Sequence, residues 1–395
     1  HNMANVRLKF IFKCLWDFIK LYFIGIVTLI KELGEGHKTF EDDVNLVGTV
    51  AIVTGGTSGI GYEVTKFLVN KGAHTIIVSK CGIEGSRVID SIKRENPTAK
   101  VEHVAVDLAE PLQIADFVKD FKSRGLRLHL LINNAGIMLA PYGVNSMGLE
   151  SHLSINFLGH FVLSLLLLDV LVASGERDWP SRIVNVSSST HQISDGNVEQ
   201  WFKSQNYSSH GCYANSKLAV ILGSYWLSRM MSRSSHDVTI STLHPGVVDT
   251  ELYKNQHSFL RPFFLLLRKW MFKSPRQGAD TVLFAALSPS TQHTGICYYD
   301  NCQKVPSSEQ SFNIDLQEQL WSLTWEHLSI LNKEVGRYAP EAGRYAPKRE
   351  IWREIWRFWI WKPQNQDMGY ILTTYLHKTL LGIGYMYIKE NDKSM

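Results

Sequence analysis

Val50-Ala51-Ile52-Val53-Thr54-Gly55-Gly56-Thr57-Ser58-Gly59-Ile60-Gly61 decides how this chain folds. The apolar run reads as a short buried strand that breaks into a glycine turn and reopens as a helix over 60–71. Such a junction converges backbone N–H groups and a helix N-terminus on one point, where a ligand's diphosphate can sit. Glycine suits the turn because a Cβ would obstruct the approaching ligand and because such turns use positive φ. Bulk at Gly55, Gly59 or Gly61 is therefore expected to block the ligand.

Working outward, apolar strand-like runs alternate with helical patterns. The strands are Val50–Thr54, Thr75–Ser79, Val101–Asp107, Leu128–Asn133, Arg182–Ser187, Val238–Leu243 and Gly295–Tyr299. Helix candidates cover 60–71, 84–95, 111–124, 150–174, 213–234 and 276–287. Seven strands with helical crossovers predict a seven-stranded parallel, doubly wound α/β sheet, whose ligands bind at the carboxyl ends of the strands. The pattern predicts one such domain over 45–332, preceded by a hydrophobic segment and linker over 1–44. Beyond it, 333–395 reads as an appendage: Gly-Arg-Tyr-Ala-Pro recurs at 336–340 and 343–347, and Arg-Glu-Ile-Trp at 349–352 and 353–356. Two copies are too few for a solenoid.

Bulk properties narrow the function. With 45% hydrophobic and 20% charged residues over 395 positions, the chain can bury a large core. A net charge of +4 without a Lys/Arg-rich block gives no nucleic-acid footprint. Five cysteines (Cys14, Cys81, Cys212, Cys297, Cys302) form neither a disulfide framework nor a metal site. The Asn206-Tyr207-Ser208 sequon matters only in a lumenal setting.

The stretch Phe10 to Ile30 is strongly apolar, but Lys13, Asp17 and Lys20 leave only Leu21 to Ile30 uncharged, too short to span a bilayer alone. At about 100° per residue, Lys9, Lys13, Asp17, Lys20 and Lys31 share one stripe. This predicts a helix lying in the membrane surface, with a tilted spanning anchor as the alternative.

Tyr213 and Lys217 stand four apart at a helix start, on one face. An ammonium beside a phenol favours phenolate, so the tyrosine can exchange a proton with an alcohol or carbonyl. Tyr62/Lys66 and Tyr385/Lys389 share the spacing, but only Tyr213 follows a strand ending in Ser187-Ser188-Ser189.

The glycine turn, Asn133-Asn134-Ala135-Gly136, Asn156, Ser188, Tyr213-Ala214-Asn215-Ser216-Lys217 and Pro245-Gly246, in this order, resemble the short-chain dehydrogenase/reductase family over about 45–300. The resemblance implies a Rossmann fold, an NAD(P)-dependent oxidoreductase, and roles for particular residues. Tyr213 would be the general acid/base, Lys217 would lower its pKa and hold the ribose, Ser188 would bind the substrate oxygen, and Asn156 would hold a proton-relaying water. The dinucleotide would be held by Gly55, Thr57, Ser58, Gly59, Ile60, Gly61, Ser79, Lys80, Asp107, Leu108, Asn134, Ala135, Gly136, Pro245, Gly246, Val248 and Thr250. Because Ser79-Lys80 offers no carboxylate for a ribose 2′-OH, NADP(H) is favoured, with NAD(H) as the alternative.

The N-terminal apolar segment, His244 to Lys254 and Gln319-Leu320-Trp321-Ser322 resemble the family's retinol-dehydrogenase-like branch. That implies a lipophilic alcohol or aldehyde, foremost polyprenol and dolichal, with retinol or a steroid as the alternative and a catalytically silent cofactor-binding scaffold as a third reading. It also implies a membrane partner, at the endoplasmic reticulum or a lipid droplet with the catalytic domain cytosolic, and leaves open a homodimer through helices 150–174 and 213–234. The apolar run 259–272, edged by Arg261, Arg268 and Lys269, is expected to form a lid over the substrate.

Overall fold

Strands buried on both faces need near-continuous apolar sequence, and the central strands have it. The computed structural model describes residues 2–337 except 42, 204–206, 232–236, 257–267, 269, 293 and 296. The chain divides into two units, His1–Tyr345 and Ala346–Met395, and the described residues all belong to the first. The repeats beyond 337, most of the expected lid and the sequon asparagine lie outside the described residues.

Helix α1 (Asn2–Glu35) leads into β1 (Val50–Thr54), α2 (Gly59–Asn70), β2 (His74–Ser79), α3 (Gly82–Glu95), β3 (Val101–Ala105), α4 (Pro111–Ser123) and β4 (Leu130–Asn133). A π-helical turn (Leu153–Gly159) runs straight into α5 (His160–Ser174), followed by β5 (Ser181–Val186), short α6 (Val198–Trp201), α7 (Ser209–Met231) and β6 (Val238–His244). The chain continues through α8 (Pro275–Leu287), β7 (Cys297–Asp300), β8 (Gln303–Val305) and α9 (Ile314–Arg337). The sheet order is β3-β2-β1-β4-β5-β6-β7-β8.

The seven expected strands are parallel, but the sheet has eight: β8 pairs antiparallel with β7, Tyr299 opposite Lys304. Asn301 and Cys302 turn that hairpin at φ 49° and 56°. Asparagine tolerates this left-handed region and cysteine does not advertise it, which hides the hairpin from the sequence.

On one face, α2 and α8 pack together over Ala51, Val53, Leu130, Ile132, Val184, Val186 and Leu243. The alternate residues Ile52, Leu131 and Ile183, also fully buried, point to the opposite face, where α5 and α7 lie against β4 and β5. Segment Leu153–Ser174 is long and apolar enough to cross a membrane, with a mean hydropathy of 2.1, yet 78% of that window is buried as a core helix. Helix α7, one of the two expected dimer surfaces, is buried within the chain from Tyr213 to Leu227, and Trp321 of α9 stacks on its Trp226 at 4.1 Å. Arg182, fully buried at the start of β5, donates to the Ser288 carbonyl at the end of α8 at 3.0 Å and to the Thr291 hydroxyl at 2.9 Å.

Helix α1 packs along α7 and the turn after β5. Its charged stripe borders the domain, with Lys9, Lys13 and Lys31 still partly open to water. Asp17 is buried, Lys20 donates to Ile193 O at 3.3 Å and Lys31 pairs with Asp300 at 2.8 Å. The apolar side faces outward instead: Phe12, Trp16, Phe23 and Ile30 are each 60–65% exposed.

Candidate active site

The glycine turn lies at the carboxyl end of β1, beside the crevice between β1 and β4 where the strand order reverses. Gly55 and Gly59 adopt φ +65° and +54°. A Cβ on Gly61 would lie 2.3 Å from Gly55 O and 2.4 Å from Asn134 Nδ2, and one on Gly55 would lie 2.9 Å from Ala135 Cα. The positive φ at Gly55 and Gly59 is the backbone reason expected, and the protein's own close packing at Gly55 and Gly61 adds a second demand before any ligand approaches. Gly59 is the position whose Cβ would reach across the crevice, to 3.0 Å from Thr250 Cγ2. Ser58 precedes α2 at its N-cap and Thr57 is half-buried; the Ser58 side chain makes no cap hydrogen bond, leaving the first N–H groups of α2 for an anion. A diphosphate fits this cradle.

Asn134 and Ala135 are fixed to β1 through their N–H groups, which donate to Thr54 Oγ1 at 2.9 and 3.0 Å. Thr54 Oγ1 also meets His160 Nε2 at 2.8 Å, while His160 Nδ1 faces Asn156 O at 3.1 Å. The carbonyl can only accept, so Nδ1 carries the proton and Nε2 accepts from the threonine. Burial pushes this imidazole down to about 4, so it stays neutral. Gly159, in the π-helical turn, lets Leu108 approach, since a Cβ there would lie 2.1 Å from Leu108 O.

Tyr213, Ser188, Lys217 and Asn156 come together as expected. Tyr213 is buried, and its hydroxyl lies beside that of Ser188. Ser187 turns away and donates to Lys217 O at 2.8 Å, so Ser188 is the serine that faces the tyrosine. Lys217 Nζ donates to Val186 O at 3.0 Å and lies 5.9 Å from the Tyr213 ring centroid. A Cβ on Gly136 would stand 3.6 Å from that ammonium, so the Asn134-Ala135-Gly136 turn and the lysine line the same space. Burial pushes Tyr213 up to about 12 and Lys217 down to about 8. Desolvation dominates at both groups, raising the phenol and lowering the ammonium. Asn156 accepts from Ile137 N at 2.8 Å and donates to Ile137 O at 3.0 Å and Ser216 Oγ at 2.9 Å. It sits in the π-helical turn and ties the strand-four loop to α7.

His191, which the sequence reading did not single out, orients Ser188. Its Nδ1 donates to Ser188 O at 2.7 Å while Nε2 accepts from Ser308 N at 3.0 Å. Burial pushes this ring down to about 4 as well. Its only sequence signal is proximity to the serine cluster, two residues past Ser189.

At the end of β2, Ser79 Oγ meets His103 Nε2 at 2.8 Å, and Lys80, 78% exposed, pairs with Asp107 at 2.6 Å. Asp107 also accepts from Ala109 N at 3.0 Å, so it serves as a turn residue whatever else it binds. Past β6, Gly246 adopts φ +98°, Val248 packs where a Cβ on Gly278 would meet it at 2.6 Å, and Thr250 accepts from Leu252 N at 3.4 Å.

Over Tyr213, Leu21 of α1 joins Met138 and Leu139 in one apolar cluster, with Ile193, Leu252 and Tyr253 against it. Leu139 holds φ +51°, a left-handed conformation costing a branched residue about 1–2 kcal/mol.

The description "short chain dehydrogenase" matches residues 49–260. The chain belongs to the short-chain dehydrogenase family. It is therefore an NAD(P)-dependent oxidoreductase acting on alcohols. The chain is 41% identical to human polyprenol dehydrogenase over 283 residues, covering 72% of this chain and 86% of that protein. It is 34% identical to human retinol dehydrogenase 12 over 288 residues, covering 73% and 89%. Among solved structures it resembles an uncharacterized protein from Mycobacterium Paratuberculosis, with TM-score 0.58, 26% identity and coverage of 74% and 97%. A Burkholderia cenocepacia short chain dehydrogenase solved with NADP shares the fold at TM-score 0.51, 23% identity and coverage of 65% and 98%.

Proposed function

We propose that this short-chain dehydrogenase interconverts long isoprenoid alcohols and their aldehydes, polyprenol and dolichal foremost, with NADP(H). The observation that carries the reading is the cluster joining Leu21 of α1 to Tyr213, because it connects the proton-transferring tyrosine to a helix whose outer side is apolar. The named activity of the polyprenol dehydrogenase relative agrees with it. A cavity of about 410 Å³ opens beside the first turn of α7, where Phe10, Tyr142, Trp201 and Tyr207 alternate with charged Lys9, Lys13, Glu150, Asp195 and Lys203, a lining of mixed character that by itself does not select an apolar tail.

The bound dinucleotide supplies or accepts the hydride. Tyr213 gives a proton to the carbonyl oxygen in reduction, a direction that suits a phenol kept protonated by burial. Ser188 donates a hydrogen bond to the same oxygen. Lys217 has two ammonium donors left after Val186 O and directs them to the ribose. Asn156 keeps the Ile137 backbone and α7 in register and anchors a water between them and Lys217. Turnover of the purified chain on a panel of polyprenol, dolichal, retinal and a steroid ketone tests the substrate. Preference for retinal would favour the retinol dehydrogenase reading, and dinucleotide binding without any turnover would leave the scaffold reading.

NADP(H) preference rests on Lys80. Its exposed pair with Asp107 is worth at most about 1 kcal/mol, so a 2′-phosphate can take the lysine over. Lys80→Glu is expected to weaken NADPH relative to NADH by about tenfold in a fluorescence titration. An unchanged ratio would leave the lysine without a part in cofactor choice.

The apolar side of α1 rests on a membrane surface, with the endoplasmic reticulum or a lipid droplet as the compartment and the catalytic domain in the cytosol. Replacing Trp16, Phe23 and Ile30 by Gln spares the docking stripe and removes part of this side. Co-flotation with phosphatidylcholine liposomes is expected to fall at least about tenfold. Undiminished flotation would move the anchor elsewhere.

A further inference from the structure

Helix α1 reaches the catalytic machinery at three points. Leu21 packs with Tyr213, Thr28 Oγ1 donates to Ser189 Oγ at 3.0 Å beside Ser188, and Glu32 seats its carboxylate on the turn after β6. The third contact is the most deeply built. The Glu32 side chain is 7% exposed, and it accepts from Val247 N at 3.1 Å (Oε1) and 3.3 Å (Oε2). Lys273 Nζ lies 3.8 Å from Oε1 and His244 Nε2 lies 3.5 Å away, on side chains 8% and 5% exposed. His244 Nδ1 accepts from Ser189 N at 3.3 Å, which leaves the ring's proton on Nε2, facing the glutamate. Burial alone would raise the Glu32 carboxyl, but His244, Lys273 and Val247 N–H together hold it below its ordinary value.

The turn so gripped is His244-Pro245-Gly246-Val247. Gly246 adopts φ +98°, and a Cβ there would lie 2.6 Å from Lys273 Cδ and 3.0 Å from Glu32 Oε1. Glu32 and Lys273 thus close over the glycine on the side where a side chain would stand. Beyond Val247 the same segment runs to Val248 and Thr250, which pack on Gly278, Ile60 and Gly59 across the crevice. The segment faces the glycine turn across the crevice, and its Val247 N–H is held by a carboxylate from a helix more than two hundred residues away in sequence.

We infer that Glu32 of α1 is a positioning residue for dinucleotide binding, holding the 244–250 segment in its binding conformation from the membrane-facing helix. This goes beyond the activity read above and rests on that reading only in taking the segment as a dinucleotide wall. Helix α1 is then a working part of the oxidoreductase as well as its attachment.

The test is dinucleotide affinity of the full chain in detergent, by fluorescence titration with NADPH and with NADH, with no alcohol or aldehyde present. Glu32→Gln keeps the shape, leaves Lys273 and His244 with only the more distant Asp300 carboxylate, and is expected to weaken binding about tenfold. Glu32→Asp, which shortens the reach by one methylene and keeps the charge, is expected to fall between the two. Lys31→Met removes the neighbouring clamp to Asp300 without touching Val247, and is expected to leave affinity within about twofold of wild type. Wild-type affinity in Glu32→Gln overturns the inference, and so does an equal loss in Lys31→Met, which would mean that seating of the helix matters and Glu32 does not. Should Glu32→Gln fail to fold, Glu32→Asp decides alone, and wild-type affinity there overturns the inference. A failure of the substrate reading is separable, since it would appear as intact dinucleotide binding without turnover of polyprenoids.

Discussion

Tyr213→Phe is expected to lower kcat about a thousandfold while leaving the NADPH dissociation constant within about twofold of wild type. The substitution removes one oxygen from a buried ring whose hydroxyl lies beside Ser188. The ring keeps its edge-to-face contact with His152 at 6.2 Å and its packing on Leu21, Met138 and Leu139. Phenylalanine fills almost the same volume, so loss of rate without loss of fold isolates the proton transfer. Single-turnover kinetics with saturating dinucleotide make the measurement. A variant with wild-type kcat would end the assignment of Tyr213 as acid/base and move attention to Ser188.

Acidification is expected to cost this protein several kcal/mol of stability between pH 6.5 and 4. His160 and His191 are buried neutral, and burial holds both near about 4 against an ordinary value of about 6.5. A depressed folded pKa means that the unfolded chain takes up the proton first. The stabilisation is fully present above about pH 6.5 and is lost as pH falls toward about 4. At about 1.4 kcal/mol per unit, each histidine accounts for about 3 kcal/mol over that window. Urea unfolding at pH 7 and pH 4.5 measures it. His191→Gln should flatten the slope by about half, because one of the two proton traps is gone. Equal slopes in wild type and variant would show that carboxylates such as Glu32 and Asp300, which are held below their ordinary range in the fold, govern acid unfolding instead.

Local rules carried much of the architecture. The strand and turn at 50–61 are where the apolar run and the glycines put them, and the start of α8 is legible as Ser274-Pro275-Arg276-Gln277, a capping box with proline at the first helical position. Of the site, spacing gave only the Tyr213/Lys217 pair, and Asn156 and Ser188 were implied by the family resemblance. The misses have physical causes. Periodicity says that α1 has two sides but carries no sign. The charged stripe lies along the domain's rim because Asp300, Asp195 and the Ile193 carbonyl pair with Lys31, Lys13 and Lys20 there, and those partners sit 170 or more residues away. Helix α9 was passed over although Asn313 caps it, accepting from Asp315 N at 2.9 Å and Leu316 N at 3.2 Å. His160 and His191 act through tautomers fixed by backbone carbonyls, and no spacing rule encodes such a partner.

Helix α1 is held to the domain by its charges and is bare on its apolar side, and this changes the units in which the enzyme meets its reactant. On the proposed reading, in which α1 rests on a bilayer, a dissolved polyprenoid and the active site would find each other by lateral diffusion in two dimensions. The relevant abundance is then mole fraction among lipids. Diluting the reactant with inert phospholipid at constant bulk concentration should slow turnover, whereas adding water at constant lipid composition should not.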